Sequence, residues 1–133
     1  MIENRSIPRC TVIPELGYAD VDAAAAWLHE AFGFTLRIAM GGHRAQLNVG
    51  DGAVALTSGA CPPRAVLVRI EDAHAHHARA VSHGARIVRE PADHSYGERQ
   101  YTAVDLGGHV WTFSQSIADV APEEWGGTSG ELR

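Results

Sequence analysis

Along residues 109–115 hydrophobic and polar positions alternate with a period of two. Trp111 and Phe113 fall on one face, and Val110, Thr112 and Ser114 fall on the other. This is the pattern of a strand with one face on a core. Residues 101–104 form a second β-rich run, and Asp105-Leu-Gly-Gly108 supplies turn chemistry between the two, so the segment predicts a hairpin. Two large aromatics on one face require a core. Small and polar groups on the opposite face leave room for a cavity.

The same alternation, interrupted by helical stretches, runs through the rest of the chain. Residues 1–9 are polar and read as a loose lead-in. Residues 10–18 read as a strand, with Pro14 marking an edge or an irregularity. Residues 21–32 are alanine-rich and read as a helix capped by Asp20, ended by Gly33 and buried along Ala24, Trp27, Leu28 and Phe32. Strands follow at 34–40, 43–49 and 53–57, separated by glycine turns. Residues 58–64, with Gly59, Pro62 and Pro63, form the one plausible linker. The order then begins again, with a strand at 65–70 and a helix at 73–83 capped by Asp72 and ended by Gly84. Strands at 86–89, 99–104 and 109–115 complete it, with a longer loop at 90–98.

Two βαβββ units result, 10–58 and 64–116, in a single α+β domain of 133 residues with a tail at 117–133. One unit alone exposes an apolar sheet face, so the two must pack together. Trp125, in so polar a tail, points to docking on a partner subunit.

Composition narrows the function classes. The formal charge is −5 and no Lys/Arg run occurs, which argues against a nucleic-acid groove. No long apolar span and no signal-peptide pattern are present, so the expectation is a soluble cytoplasmic protein without a membrane partner. Cys10 and Cys61 fit no metal or redox spacing and read as free thiols. No Ser/His/Asp set, Walker loop or dinucleotide fingerprint appears.

Four stretches carry a resemblance: Tyr18-Ala-Asp20 before the Ala-rich helix, Ala31-Phe-Gly-Phe34, Tyr96-Gly-Glu-Arg99, and Asp105-Leu-Gly-Gly-His-Val-Trp-Thr-Phe113. Over residues 11–116 the chain resembles the vicinal oxygen chelate superfamily of glyoxalase I, extradiol dioxygenases and bleomycin-resistance proteins. The resemblance implies paired units curling into a cup that holds ligands, and it implies a homodimer. The metal enzymes of that family carry one ligand on the first and last strand of each unit. The matching positions here are Ile13, Ala55, Ala65 and Thr112, of which three have no lone pair to give. The usual metal site is therefore expected to be absent, and no cofactor is implied.

The remaining candidates follow from strand faces. Glu15 and Arg69 share the faces of Ile13 and Ala65, where they either bind a polar ligand or stand as structural charges. Gln46 and Asn48 share one face of their strand and either orient a ligand or decorate a half-exposed surface. Tyr96 and Arg99 border the expected cup mouth, and Ser114 continues the face of Thr112. His74, His76, His77 and His83 read as a solvated helix face. His109 reads as a hairpin anchor.

The expectation is a metal-free binder of a small organic molecule. The alternative is a glyoxalase-type lyase or isomerase using Glu15 as base, or a metal at His43 or His94. A third reading is a fold that serves mainly dimerisation.

Overall fold

The computed structural model describes residues 1–133. The first unit comprises β1 (Glu15–Tyr18), α1 (Val21–Phe32), β2 (Thr35–Met40), β3 (Arg44–Val49) and β4 (Gly52–Ser58). The second comprises β5 (Ala65–Arg69), α2 (Ala73–Ser82), β6 (Arg86–Asp93), β7 (Glu98–Val104) and β8 (Val110–Ser116). The two sheets are open, four-stranded and alike, ordered β1-β4-β3-β2 and β5-β8-β7-β6. In each, the first strand runs parallel to the last and the other pairs are antiparallel. This is the α+β fold of paired βαβββ units.

Both helices begin alike. The Asp20 side chain accepts from Ala23 N and that of Asp72 from Ala75 N, each at 3.0 Å, filling donors that a first turn leaves free. Gly33 ends α1 in the left-handed region at φ 80°, where a side chain would be strained.

Three expectations change in extent. β1 begins at Glu15 rather than at residue 10, because Pro14 has no N–H to donate; its carbonyl still accepts from Ala55 N at 2.9 Å. β6 extends to Asp93 through two register shifts, so the expected loop shrinks to a turn at 94–97. Residues 1–9 are not a loose lead-in: Pro8 is buried and the segment lies on the first sheet.

The shared core forms between the sheets' helix-side faces. Leu16, Leu47, Leu56 and Leu28 of the first unit cluster with Tyr101, Trp111 and Phe113 of the second. Phe32 makes the central joint, with its ring 4.8 Å from that of Phe113 and 5.9 Å from that of Trp111.

Polar bonds close the joint. The Asp105 carboxylate is buried and accepts four hydrogen bonds. Oδ1 takes Gly107 N at 2.9 Å and His109 N at 3.0 Å; Oδ2 takes Tyr18 Oη at 2.5 Å and Trp111 Nε1 at 2.9 Å. Burial, then the Asp105 carboxylate, push the Tyr18 hydroxyl far above its ordinary value, so it remains a donor. His109 Nε2 donates to Gly17 O at 2.8 Å and Nδ1 accepts from Arg64 N at 3.0 Å, which fixes the orientation of the ring. Gly107 lies so close to the Tyr18 ring that a Cβ there would stand 2.6 Å from Tyr18 Cδ1.

The helix histidines do not form one solvated face. His74 and His83 are exposed, but the His76 ring lies tilted against that of Phe113, with centroids 4.1 Å apart. Its Nε2 donates to Phe32 O at 3.0 Å and its Nδ1 accepts from Tyr101 Oη at 2.5 Å. α2 thus turns His76 inward, and His76 links the second helix to the end of the first.

Two stability predictions follow from the joint. Asp105→Asn keeps the shape but turns an N–H₂ towards the Trp111 donor. We expect it to lower urea stability by about 2–4 kcal/mol, the range for losing a charge-assisted bond and stranding a buried donor. A loss below about 0.5 kcal/mol, the level of an ordinary surface change, would contradict this role. His76 supplies a pH dependence. Burial holds its imidazole below the ordinary 6.5, so the unfolded chain takes a proton that the folded chain refuses. Its contribution is therefore complete above pH 6.5 and declines as the pH falls from there towards the folded-state value. Urea titrations from pH 7 down to pH 5 should show a steeper loss for the native chain than for His76→Gln; parallel curves would refute the assignment.

Candidate functional site

Register defines the faces turned away from the helices. Glu15, Ala55 and Gln46 lie abreast on β1, β4 and β3, opposite in alternation to the core residues Leu16, Leu56 and Leu47. Leu67, Thr112 and Thr102 lie abreast on β5, β8 and β7. Ala65, Arg69 and Ser114 share that second face by the period of two.

The first face holds an open cleft of about 460 Å³. Ile13, Glu15, Gln46 and Ala55 line it with Arg44 and residues of the N-terminal segment. Glu15 is exposed, and its carboxylate lies 3.9 Å from the Arg44 guanidinium. Gln46 is buried and held by Arg37, whose Nη1 donates to Gln46 Oε1 at 2.6 Å. Asn48 lies outside this cleft. It donates to the Thr35 hydroxyl at 3.2 Å and lines a smaller hollow of about 180 Å³ with Arg37 and Asp51.

The second face carries a connected polar network. Tyr96 Oη donates to Gln100 Oε1 at 3.0 Å, and Gln100 Nε2 donates to Ser114 Oγ at 2.9 Å. Ser114 Oγ in turn donates to Glu98 Oε1 at 2.7 Å. The hydroxyls of Thr102 and Thr112 meet at 3.0 Å. Ala65 and Arg69 are exposed, and Arg69 Nη2 donates to Ser116 Oγ at 3.1 Å. Leu67, between them, keeps 66% of its surface in solvent. Arg99 lies on the opposite face, beside Tyr101. Asp93 takes its guanidinium at 2.7 and 3.1 Å, and that hydrogen bonding holds the Asp93 carboxyl below its ordinary value.

The residues of the two faces do not meet in one chamber within the chain. The N-terminal segment walls one side of the first-face cleft, and a separate groove of about 300 Å³ runs along the seam between β4 and β5, past Val12, Leu67 and Arg69. Glu98, Gln100 and Thr102 belong to the second face, and of these Gln100 and Thr102 went unread in the sequence. The alternation of Tyr101 and Ala103 with polar neighbours was the signal that places them there and turns Arg99 away.

The donor set does not suit a divalent ion. Ile13, Ala55 and Ala65 offer no side-chain donor, and the Thr112 hydroxyl is engaged by Thr102. No three His, Cys, Asp or Glu side chains converge elsewhere. His43 is exposed, and the His94 ring stacks on Tyr96, with centroids 5.1 Å apart.

This fold and its paired faces match a known family. The model of the Glyoxalase/Bleomycin resistance protein/Dioxygenase superfamily covers residues 7–113, and the chain belongs to that superfamily. Among solved structures it is similar to TioX from Micromonospora sp. ML1, at 34% identity and TM-score 0.70, over 79% of this chain and 97% of that one. It shares the fold of a bleomycin resistance determinant encoded on the transposon Tn5, at 20% identity and TM-score 0.67, over 82% and 99% of the two chains. A glyoxalase/bleomycin resistance protein/dioxygenase family enzyme from Burkholderia phytofirmans PsJN shares it at 14% identity and TM-score 0.68, over 79% and 97%. No functionally curated protein matches the chain. No helix is long and apolar enough to cross a membrane.

Elemental analysis of chelator-washed protein should find no stoichiometric zinc, nickel, iron or manganese. About one equivalent of metal, lost on replacing Thr112 by Val, would contradict the reading of the donor set.

Proposed function

We propose that the chain is a metal-independent binding protein for a small organic molecule, acting as a cytoplasmic homodimer. The observation that carries this reading is the small lining of the first face. Ala55 stands where a packed core would place a larger side chain and floors the cleft instead, and Ala53, on the same face, lines the neighbouring hollow and the seam groove. Ile13, Glu15 and Gln46 border it, offering one apolar wall, one carboxylate and one amide. Ala65, Leu67, Arg69, Thr112 and Ser114 form the facing half, with Tyr96 at its edge and Asn48 at the rim of the first.

The dimer follows from exposure. Leu67 and Val12 remain 66% and 76% exposed along the seam, and each sheet has open edge strands. We place the first half-cup of one copy against the second half-cup of the other, giving two chambers per dimer. Two free cysteines suit a reducing compartment.

The enzyme reading has less support. A general base must meet its proton in a positioned and sheltered geometry, whereas Glu15 is exposed beside Arg44. A thermal-shift screen of small planar compounds tests the binding reading. At least one compound should raise the melting temperature of the native chain and not that of Ala55→Phe, whose ring fills the cleft floor. A compound that shifts both proteins equally would refute this site. Light scattering should give a dimer mass at micromolar concentration; a monomer would reject the two-copy chamber.

A further inference from the structure

The N-terminal segment stands on the face assigned to the ligand. Arg37 Nη2 donates to Arg5 O at 2.9 Å and to Ile7 O at 3.1 Å, and Gln46 Nε2 donates to Ser6 O at 2.9 Å. Two side chains thus capture three successive main-chain carbonyls. Gln46 is itself only 7% exposed, and Arg37 reaches it from the register shift between Leu36 and Ile38 on β2.

Little else fastens the segment. Its one backbone–backbone bond is local, from Ile7 N to Asn4 O at 3.4 Å, so it adds no strand to either sheet. Pro8 is buried, but Met1, Ile2 and Ile7 remain exposed. A segment anchored by apolar burial would hide such residues. This one is held by an amide, Gln46, that lines the cleft which Ser6, Ile7 and Pro8 help to wall, and by a charged fork, Arg37, that bonds this amide and lines the neighbouring hollow.

We propose that residues 1–9 form a displaceable strap over the first half-cup. The strap occupies the Arg37 and Gln46 donors while the cup is empty. It yields them to a ligand that presents closely spaced carbonyl-type oxygens, which replace the carbonyls of Arg5, Ser6 and Ile7. The guanidinium fork and the neighbouring amide favour such acceptors over hydrocarbon. This proposal rests on the reading of the cup as a ligand chamber, yet its mechanical part is testable without any ligand.

Trypsin supplies the first test on the full chain, since Arg5 and Arg9 lie within the strap. Cleavage of a segment that opens and closes rapidly tracks the open population. Arg37→Ala and, separately, Gln46→Ala should speed cleavage after Arg5 and Arg9 by about tenfold, which corresponds to a shift of about 1.4 kcal/mol in the opening equilibrium. Cleavage elsewhere should keep its native rate, so a variant that loosens the whole chain is recognised at once and the other variant decides. The second test uses the dye 8-anilinonaphthalene-1-sulfonate, whose emission rises when apolar surface is uncovered. Its emission should rise several-fold in the same variants. Equal cleavage in native and variant chains overturns the strap. Faster cleavage with unchanged dye emission overturns its role as a cover. Failure of the ligand reading is separate: it appears as a thermal-shift screen without a hit on a chain whose strap opens as described.

Discussion

Four donors converge on one buried carboxylate where the two units meet. Asp105 takes two N–H groups from its own hairpin, the Trp111 indole and the Tyr18 hydroxyl of the other unit. A buried carboxylate without such partners would destabilise the chain strongly; with all four it fixes a geometry. The hairpin cannot shift without stranding a donor, and Tyr18 cannot leave without uncovering the charge. His109, across the hairpin turn, binds Gly17 O and repeats the link on the same strand, one residue before Tyr18. The aromatic core of Phe32, Trp111 and Phe113 supplies apolar burial beneath. Everything on the far side of the sheets is positioned by this joint, since the strands that carry Thr112 and Glu15 are the ones it ties.

The far side is built differently. Across the helix-side core large side chains interlock, whereas across the first cup face Ala53 and Ala55 leave space. The same strands therefore serve packing on one face and vacancy on the other. Hydrogen-bonded side chains on the second face, from Tyr96 through Gln100 and Ser114 to Glu98, keep its polar groups oriented rather than mobile. In the two-copy chamber we propose, this pre-oriented polar wall faces the Ala55 floor, the usual composition of a small-molecule site.

Much of this architecture was legible in the sequence, and the exceptions have physical causes. The alternation of Trp111 and Phe113 with Thr112 and Ser114 gave the faces of β8 directly, and Asp20, Gly33 and Asp72 gave the helix ends. The length of β6 was hidden by Pro91, which reads as a breaker but is tolerated because β6 lies at a sheet edge. The inward turn of His76 was obscured by three further histidines on the same helix. Arg37 was invisible because a register shift, which breaks the period of two, brings it to the Gln46 amide beside the cleft. The placement of residues 1–9 depends on main-chain carbonyls, and a carbonyl is present at every residue whatever the sequence.

Membership of the superfamily fixes the fold and leaves the chemistry to the site, since one scaffold hosts many reactions. The central claim is that two half-cups from two copies enclose an organic molecule. Native mass spectrometry of the full chain, mixed with a compound that stabilises it, tests this most directly. The account predicts a dimer carrying up to two molecules of the compound, one for each chamber. A monomer that binds the compound one to one would contradict it.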